Sequence, residues 1–213
     1  MTATPNSTNA PTATPWRQVR AVYDAESVTV YQAYSSAIAD AALAAGRFVP
    51  PFKRERMTWI KPSFLWMMYR SGWATKKGQE RVLAVRLSRG GFEEALARSC
   101  LSAFDPRFHP DRQAWEALKE NSPVRIQWDP ERDVALNPLG HRSIQIGIGP
   151  PAVDDYVDRW TISITDITET VAALRSASAI VPGSLPSERP YPLPPELAAR
   201  TRATASPSAT MTT

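Results

Sequence analysis

The 213-residue chain holds one cysteine, two histidines and nine glycines, and each scarcity closes a route. The lone Cys100 has no partner for an internal disulfide, which fits a reducing compartment. His109 and His141 share no ligand spacing with each other or with Cys100, so no metal is expected. The glycines form neither a P-loop nor a G-x-G-x-x-G turn, and no serine sits in G-x-S-x-G. These absences disfavour a standard ATP site, a Rossmann site and a hydrolase elbow. No apolar run approaches the roughly 18 residues of a membrane span, and the N-terminus lacks the basic-then-apolar order of a secretory signal. A cytoplasmic protein without a membrane partner is the expectation, and the oligomeric state is left open.

Apolar residues make up 43% of the chain, enough for a sizeable core. Its two ends read differently. Residues 1–15 are Thr, Ala, Pro, Asn and Ser without apolar periodicity, and from Pro182 prolines recur before Ala, Thr and Ser take over. Such compositions cannot bury enough surface to offset chain entropy. The reading is a disordered tail over 1–15, one globular domain over 16–181 and a disordered tail over 182–213.

Within the domain, Val19–Tyr23, Val28–Tyr34, Met57–Ile60, Arg81–Leu87, Val124–Trp128 and Arg142–Ile148 show strand patterning. In the last, Ile144, Ile146 and Ile148 share one face. Helices are expected over Ser36–Ala45, from Pro62 or Ser63 to Gly72, over Phe92–Ala103, from Asp111 to Lys119, from Pro151 through Ile164, and over Ile167–Ser176. DPERD after Trp128 reads as a turn. Strands and helices mix without a βαβ rhythm, which points to an α+β fold with a mixed, mostly antiparallel, curved or split sheet flanked by helices.

The charge is uneven. From Lys53 to Arg89 ten Lys or Arg face two acids, a net of +8, while the remaining fifteen bases and nineteen acids sum to −4. Inside that basic span, Trp59, Trp66, Trp73 and Tyr69 alternate with Arg54, Arg56, Lys61 and Arg70, and Lys76 follows. A buried charge without a partner is expensive, so rings interleaved with cations suit a nucleotide or a nucleic-acid strand. The competing reading makes the indoles core and the cations a solvated face.

Gln32 and Gln145 lie mid-strand, where an amide offers donor and acceptor to a base edge, a nicotinamide or a ribose hydroxyl, or simply faces solvent. Arg20, Arg125 and Arg142 also lie on strands. They can grip phosphate or carboxylate, or pair internally with Asp24, Asp129 or Glu131. Glu131 is a lesser candidate for acid–base work, and His109 reads as a surface-loop histidine.

RAVYD, VYQAY, PFKRERMTWIKPSFLWMMYRSGW, QERVL, GFEEAL, PVRIQWDPERD and RSIQIGI together resemble a bacterial and fungal family designated domain of unknown function 4291. They run from about Arg20 to Asp166. VYQAYSSAIADAALAAGRF is also similar to the opening of ADP-ribosyltransferase-like folds, where a Tyr-His-Gly-Thr run binds the nicotinamide side of NAD. That resemblance puts Gln32 at the histidine position and Gln145 at the position of a catalytic glutamate. It implies NAD as cofactor and transfer to nucleic acid or another anionic substrate. Gln32, Tyr69 and Gln145 would be catalytic. Arg20, Tyr31, Tyr34, Lys61, Ser63, Trp66 and Arg142 would bind the cofactor, and Arg54, Arg56, Arg70, Lys76 and Arg125 the phosphates. The alternative is a non-catalytic nucleic-acid-binding module. Both need the rings and cations to meet in one cleft, with Gln32, Lys61, Trp66, Tyr69, Arg142 and Gln145 along it.

Overall fold

Strand β2 (Ser27–Tyr34) separates two cores in a computed structural model that describes residues 14–204. Its β-branched and aromatic residues suit a pleated strand buried on both faces. Val28 and Val30 enter a large core with Leu83, Val85, Ile144, Ile146 and Ile148, while Tyr31 enters a smaller one with Phe64, Met67, Met68, Val82 and Val171.

Along one edge β2 pairs antiparallel with the whole of β4 (Arg81–Ser88), from Ser27↔Ser88 to Tyr34↔Arg81. The other edge is shared. Strand β1 (Arg20–Tyr23) takes it at Thr29 and Val28, and Lys61 takes it at Tyr31, with N–H to carbonyl hydrogen bonds of 2.7 and 3.2 Å in the two directions. There the sheet splits. One half runs β8 (Thr161–Asp166), β4, β2, β1, β9 (Arg189–Pro190), antiparallel throughout. The other runs β3 (Thr58–Ile60), β7 (Pro138–Ile148), β6 (Val124–Arg132), β5 (Ser99–Leu101), with only β5 and β6 parallel among the described residues. The expected α+β class with a split, mostly antiparallel sheet is the observed one.

Among the described residues seven α-helices flank the sheets: α1 (Ser36–Ala45), α2 (Phe64–Ser71), α3 (Arg89–Ala97), α4 (Arg112–Asn121), α5 (Pro150–Asp155), α6 (Thr168–Ser176) and α7 (Pro195–Thr201). Helix α2 starts and stops where its residues say. The Ser63 hydroxyl accepts from the Trp66 N–H at 3.1 Å, and Gly72 closes the helix at φ 60°. No helix among the described residues is long and apolar enough to cross a membrane.

Four expectations change. The helix expected to reach Ala103 stops at Ala97, because Ser99–Leu101 pairs with β6. DPERD is no turn: β6 continues through it to Arg132. The helix from Pro150 ends in a π-helical turn at Trp160, where the Thr161 hydroxyl donates to the Tyr156 carbonyl at 2.7 Å. The β-branched TISITD beyond it becomes β8. Finally, 182–204 is an ordered strap. β9 extends the first sheet, Tyr191 and Leu197 enter the large core, and the Trp128 indole donates to the Thr201 carbonyl at 2.8 Å. Pro190 occupies an edge strand and Pro195 the first turn of α7, where no N–H is needed, so composition concealed the order. Residues 1–13 and 205–213, the outer parts of both expected tails, lie outside the described residues.

Close approach explains Gly91 on α3, where a Cβ would sit 2.5 Å from Cγ of the fully buried Trp160. Gly91→Ala is expected to destabilise by about 1–3 kcal/mol in urea unfolding, despite alanine's better helix propensity. An unchanged midpoint would mean that Trp160 has room to move.

Candidate functional site

Beyond the Tyr31–Lys61 pair the two half-sheets part, and a cleft of about 550 Å³ opens between them. β2 contributes Gln32, Ala33 and Tyr34, β3 Thr58 and Trp59, α2 Met67 and Arg70, and β6 and β7 contribute Gln127 and Gln145. Strand alternation puts Gln127 and Gln145 on the face opposite the isoleucines. At Gly147, on that same face, an added Cβ would lie 2.9 Å from the Trp59 ring, so the missing side chain lets the indole lie against β7.

Lys61 is the buried cation of the cleft. Its backbone is fixed by Tyr31 and its side chain is 6% exposed. Its ammonium lies 5.2 Å from the centre of the Trp66 ring and 3.4 Å from the Trp59 carbonyl, with no carboxylate among the described residues at ion-pair distance. Burial, and then the Arg70 charge, push the amine down to about 7, against a smaller upward pull from Asp129. Among the described residues Arg70 forms no ion pair either, and its guanidinium reaches Gln79 at 3.5 Å. Asp129 accepts from Gln127 Nε2 at 2.9 Å and from Gln145 Nε2 at 2.6 Å, which orients both amides. The site therefore offers two under-neutralised cations, aimed amides and one indole face.

Gln32 has another job than the one expected. Its Nε2 donates among Thr58 Oγ1 (2.7 Å), the Tyr34 hydroxyl (2.8 Å) and the Trp59 carbonyl (3.1 Å), while its Oε1 accepts from the Tyr156 hydroxyl at 2.6 Å. Burial holds the hydroxyls of Tyr34 and Tyr156 protonated by raising their pKa. With its polar atoms spent on the protein, Gln32 braces β2 against β3 and the π-helical turn, and it is a positioning residue.

The cleft gathers Gln32, Tyr34, Lys61, Arg70 and Gln145, with Trp66 against Lys61. The other expected residues lie elsewhere. Tyr31 alternates away into the smaller core, edge-on to Phe64 at 5.4 Å. Trp66 is sealed and Trp73 packs on Phe64, so of the three indoles in this stretch Trp59 alone lines the cleft. Tyr69 is exposed beside the cleft with the Arg132 guanidinium 3.6 Å over its ring. Arg54 pairs with Asp154 and Asp158, and Arg56 lines an adjoining hollow that shares Tyr34, Met57 and Thr58 with the cleft. Lys76 donates to the Arg70 carbonyl at 2.8 Å, Arg125 to the Ser122 and Lys119 carbonyls, and Arg142 lies over Trp16 at 4.8 Å.

Arg20 and Ser63 line a second cavity of about 570 Å³ with Glu131, His141 and Glu188. Ser63 donates to Glu131 at 2.8 Å and the Phe64 N–H to Glu188 at 2.6 Å, while burial pushes Glu188 up to about 8. His109 is buried rather than on the surface, accepting from the Asp105 N–H at 3.1 Å.

Thr58, Gln79 and Gln127 escaped sequence reasoning, and Asp129 entered it only as a turn acid or a partner for arginine. The Gln127–Asp129 alternation was a usable signal, hidden by reading DPERD as a turn.

Fold and site define a class: an α+β protein with a sheet split in two and a cationic, amide-lined cleft at the split. Residues 18–191 match the model of the family described as Domain of unknown function (DUF4291), and the chain belongs to that family. The match takes in both half-sheets and the cleft. Curated proteins show no match to this chain.

Lys61 links the cleft to stability. Its folded-state value near 7 lies below the ordinary 10.5, so the folded protein binds fewer protons between those limits and gains stability as pH rises through them. Lys61→Met is therefore expected to stabilise by up to ~5 kcal/mol near pH 7, with the gain shrinking toward pH 10 in denaturant titrations. A gain independent of pH would show that Lys61 titrates normally.

Proposed function

We propose that the cleft binds a nucleotide, with phosphate on Lys61 and Arg70 and a flat ring against Trp59 and the amides of Gln127 and Gln145. The observation that carries this reading is the buried Lys61, left without a carboxylate beside a second cation. An arriving phosphate compensates the desolvation of Lys61 and relieves its repulsion with Arg70, so binding draws a proton onto the amine. A ligand that brought no negative charge would gain nothing from either cation.

NAD is the candidate that the split-sheet likeness to ADP-ribosyltransferase folds favours. Transfer would break the bond between nicotinamide and the ribose C1′, leaving positive charge on the sugar while the acceptor attacks. A carboxylate best stabilises that charge. Asp129, behind Gln127 and Gln145, supplies one, and this reading moves the catalytic role there from Gln32.

Calorimetric titration with ADP and with NAD tests the binding. Saturable binding is expected, stronger at pH 6.5 than at pH 9 because it takes up a proton, and weakened about tenfold or more by Lys61→Met or Arg70→Ala. Heats that never saturate with either ligand, or full affinity in both variants, would sink the proposal. Nicotinamide release from NAD, lost in Asp129→Asn, separates an enzyme from a binding module.

A further inference from the structure

A second cationic cluster lies away from the cleft. Strand alternation places Arg142 and Gln145 on opposite faces of β7, and Arg142 bonds through its N–H to the Trp16 carbonyl at 2.8 Å. Next to it, the guanidinium carbons of Arg17, Arg107 and Arg202 lie 5.4, 5.4 and 4.9 Å from the centre of one ring, Phe108. Arg142 covers Trp16. Two of these four guanidiniums reach an acid, Asp105, which Arg107 holds through two nitrogens at 2.9 and 2.6 Å and Arg17 reaches at 3.8 Å. Arg142 and Arg202 form no ion pair among the described residues.

At the centre of the cluster Arg17 is built in, with its side chain 14% exposed. The Arg17 backbone is tied to the end of the strap, donating to Thr204 Oγ1 at 2.9 Å and accepting from the Thr204 N–H at 2.7 Å. Arg202 caps α7 in the left-handed region, at φ 61°. Arg17 Nε is buried with no hydrogen-bond acceptor, and burial together with Arg107 and Arg142 makes its guanidinium less basic. A hollow of about 340 Å³ runs between Trp16, Arg17, Arg107, Phe108 and Arg202, and Trp16 is 48% exposed.

We propose that this hollow is a phosphate-backbone site for a single-stranded nucleic acid, with Arg17, Arg107 and Arg202 on the phosphates and Trp16 stacking on a base. Guanidiniums with few carboxylates nearby are short of acceptors, and phosphate oxygens supply them in pairs. An exposed indole beside them selects unpaired bases, whose faces are free to stack. The site does not rest on the nucleotide reading of the cleft.

Fluorescence anisotropy of a labelled single-stranded oligonucleotide with the full chain is the test. Affinity is expected to fall as salt rises from about 50 to 200 mM, with Arg107→Ala plus Arg202→Ala costing about tenfold or more and flattening the salt slope by roughly 1.4. Trp16→Ala is expected to weaken binding without changing that slope. Lys61→Met is expected to leave it intact, which keeps this result apart from the cleft. Should the double variant melt early, Arg107→Ala alone carries the comparison, because that side chain is 66% exposed. Absent binding, affinity unchanged in the arginine and Trp16 variants, or equal affinity for polyglutamate would overturn the proposal.

Discussion

Two backbone hydrogen bonds between Tyr31 and Lys61 hold the two half-sheets together at the point where they part. Without them β2 would have an unpaired edge past Thr29, and β3 would keep its backbone pairing with β7 while only side chains tied it to β2 among the described residues. Their position sets where the cleft begins. The Gln32 network then sets how wide it stays, because one amide grips β2, β3 and the π-helical turn. A buried amide with its partners in place is rigid, and losing one partner would leave polar atoms unsatisfied at a cost of about 1–3 kcal/mol.

The same pairing fixes the chemistry. A lysine usually lays its stem along apolar surface and carries its ammonium out to water. Lys61 begins from a backbone locked inside the split, and its ammonium ends against Trp66 and the Trp59 carbonyl. Elsewhere the fold neutralises its cations generously: Arg54 has Asp154 and Asp158, Arg81 has Asp40 and Asp166, and Arg98 has Glu94 and Asp155. Against that habit, the carboxylate-poor surroundings of Lys61 and Arg70, and of Arg142 and Arg202, stand out, and it is there that the proposed anionic ligands would bind.

Much of this was legible in the residues. The alternation of Ile144, Ile146 and Ile148, the cap at Ser63 and the stop at Gly72 placed β7 and α2, and the mix of strands without βαβ rhythm gave the class. Gln32, Tyr34, Lys61, Arg70 and Gln145 were singled out, and the fold brings them to one cleft. What stayed hidden depends on partners remote in sequence. Gln32 is bonded to Tyr156, 124 residues away, so its structural duty left no local mark. Trp66 and Trp73 carry the same side chain as Trp59, and only packing decides which indole faces the cleft. The strap over 182–204 looked disordered because its prolines use positions that need no donor, while Tyr191 and Leu197 supply the burial that composition alone cannot reveal.

Lys61 is a buried amine with no carboxylate at ion-pair distance among the described residues, and its own titration is the most direct measurement. Lysine-selective NMR of the folded chain, assigned with Lys61→Met, is expected to show one amine losing its proton near pH 7 and regaining it when ADP is added. An Lys61 midpoint near the ordinary 10.5, unmoved by ADP, would contradict the claim.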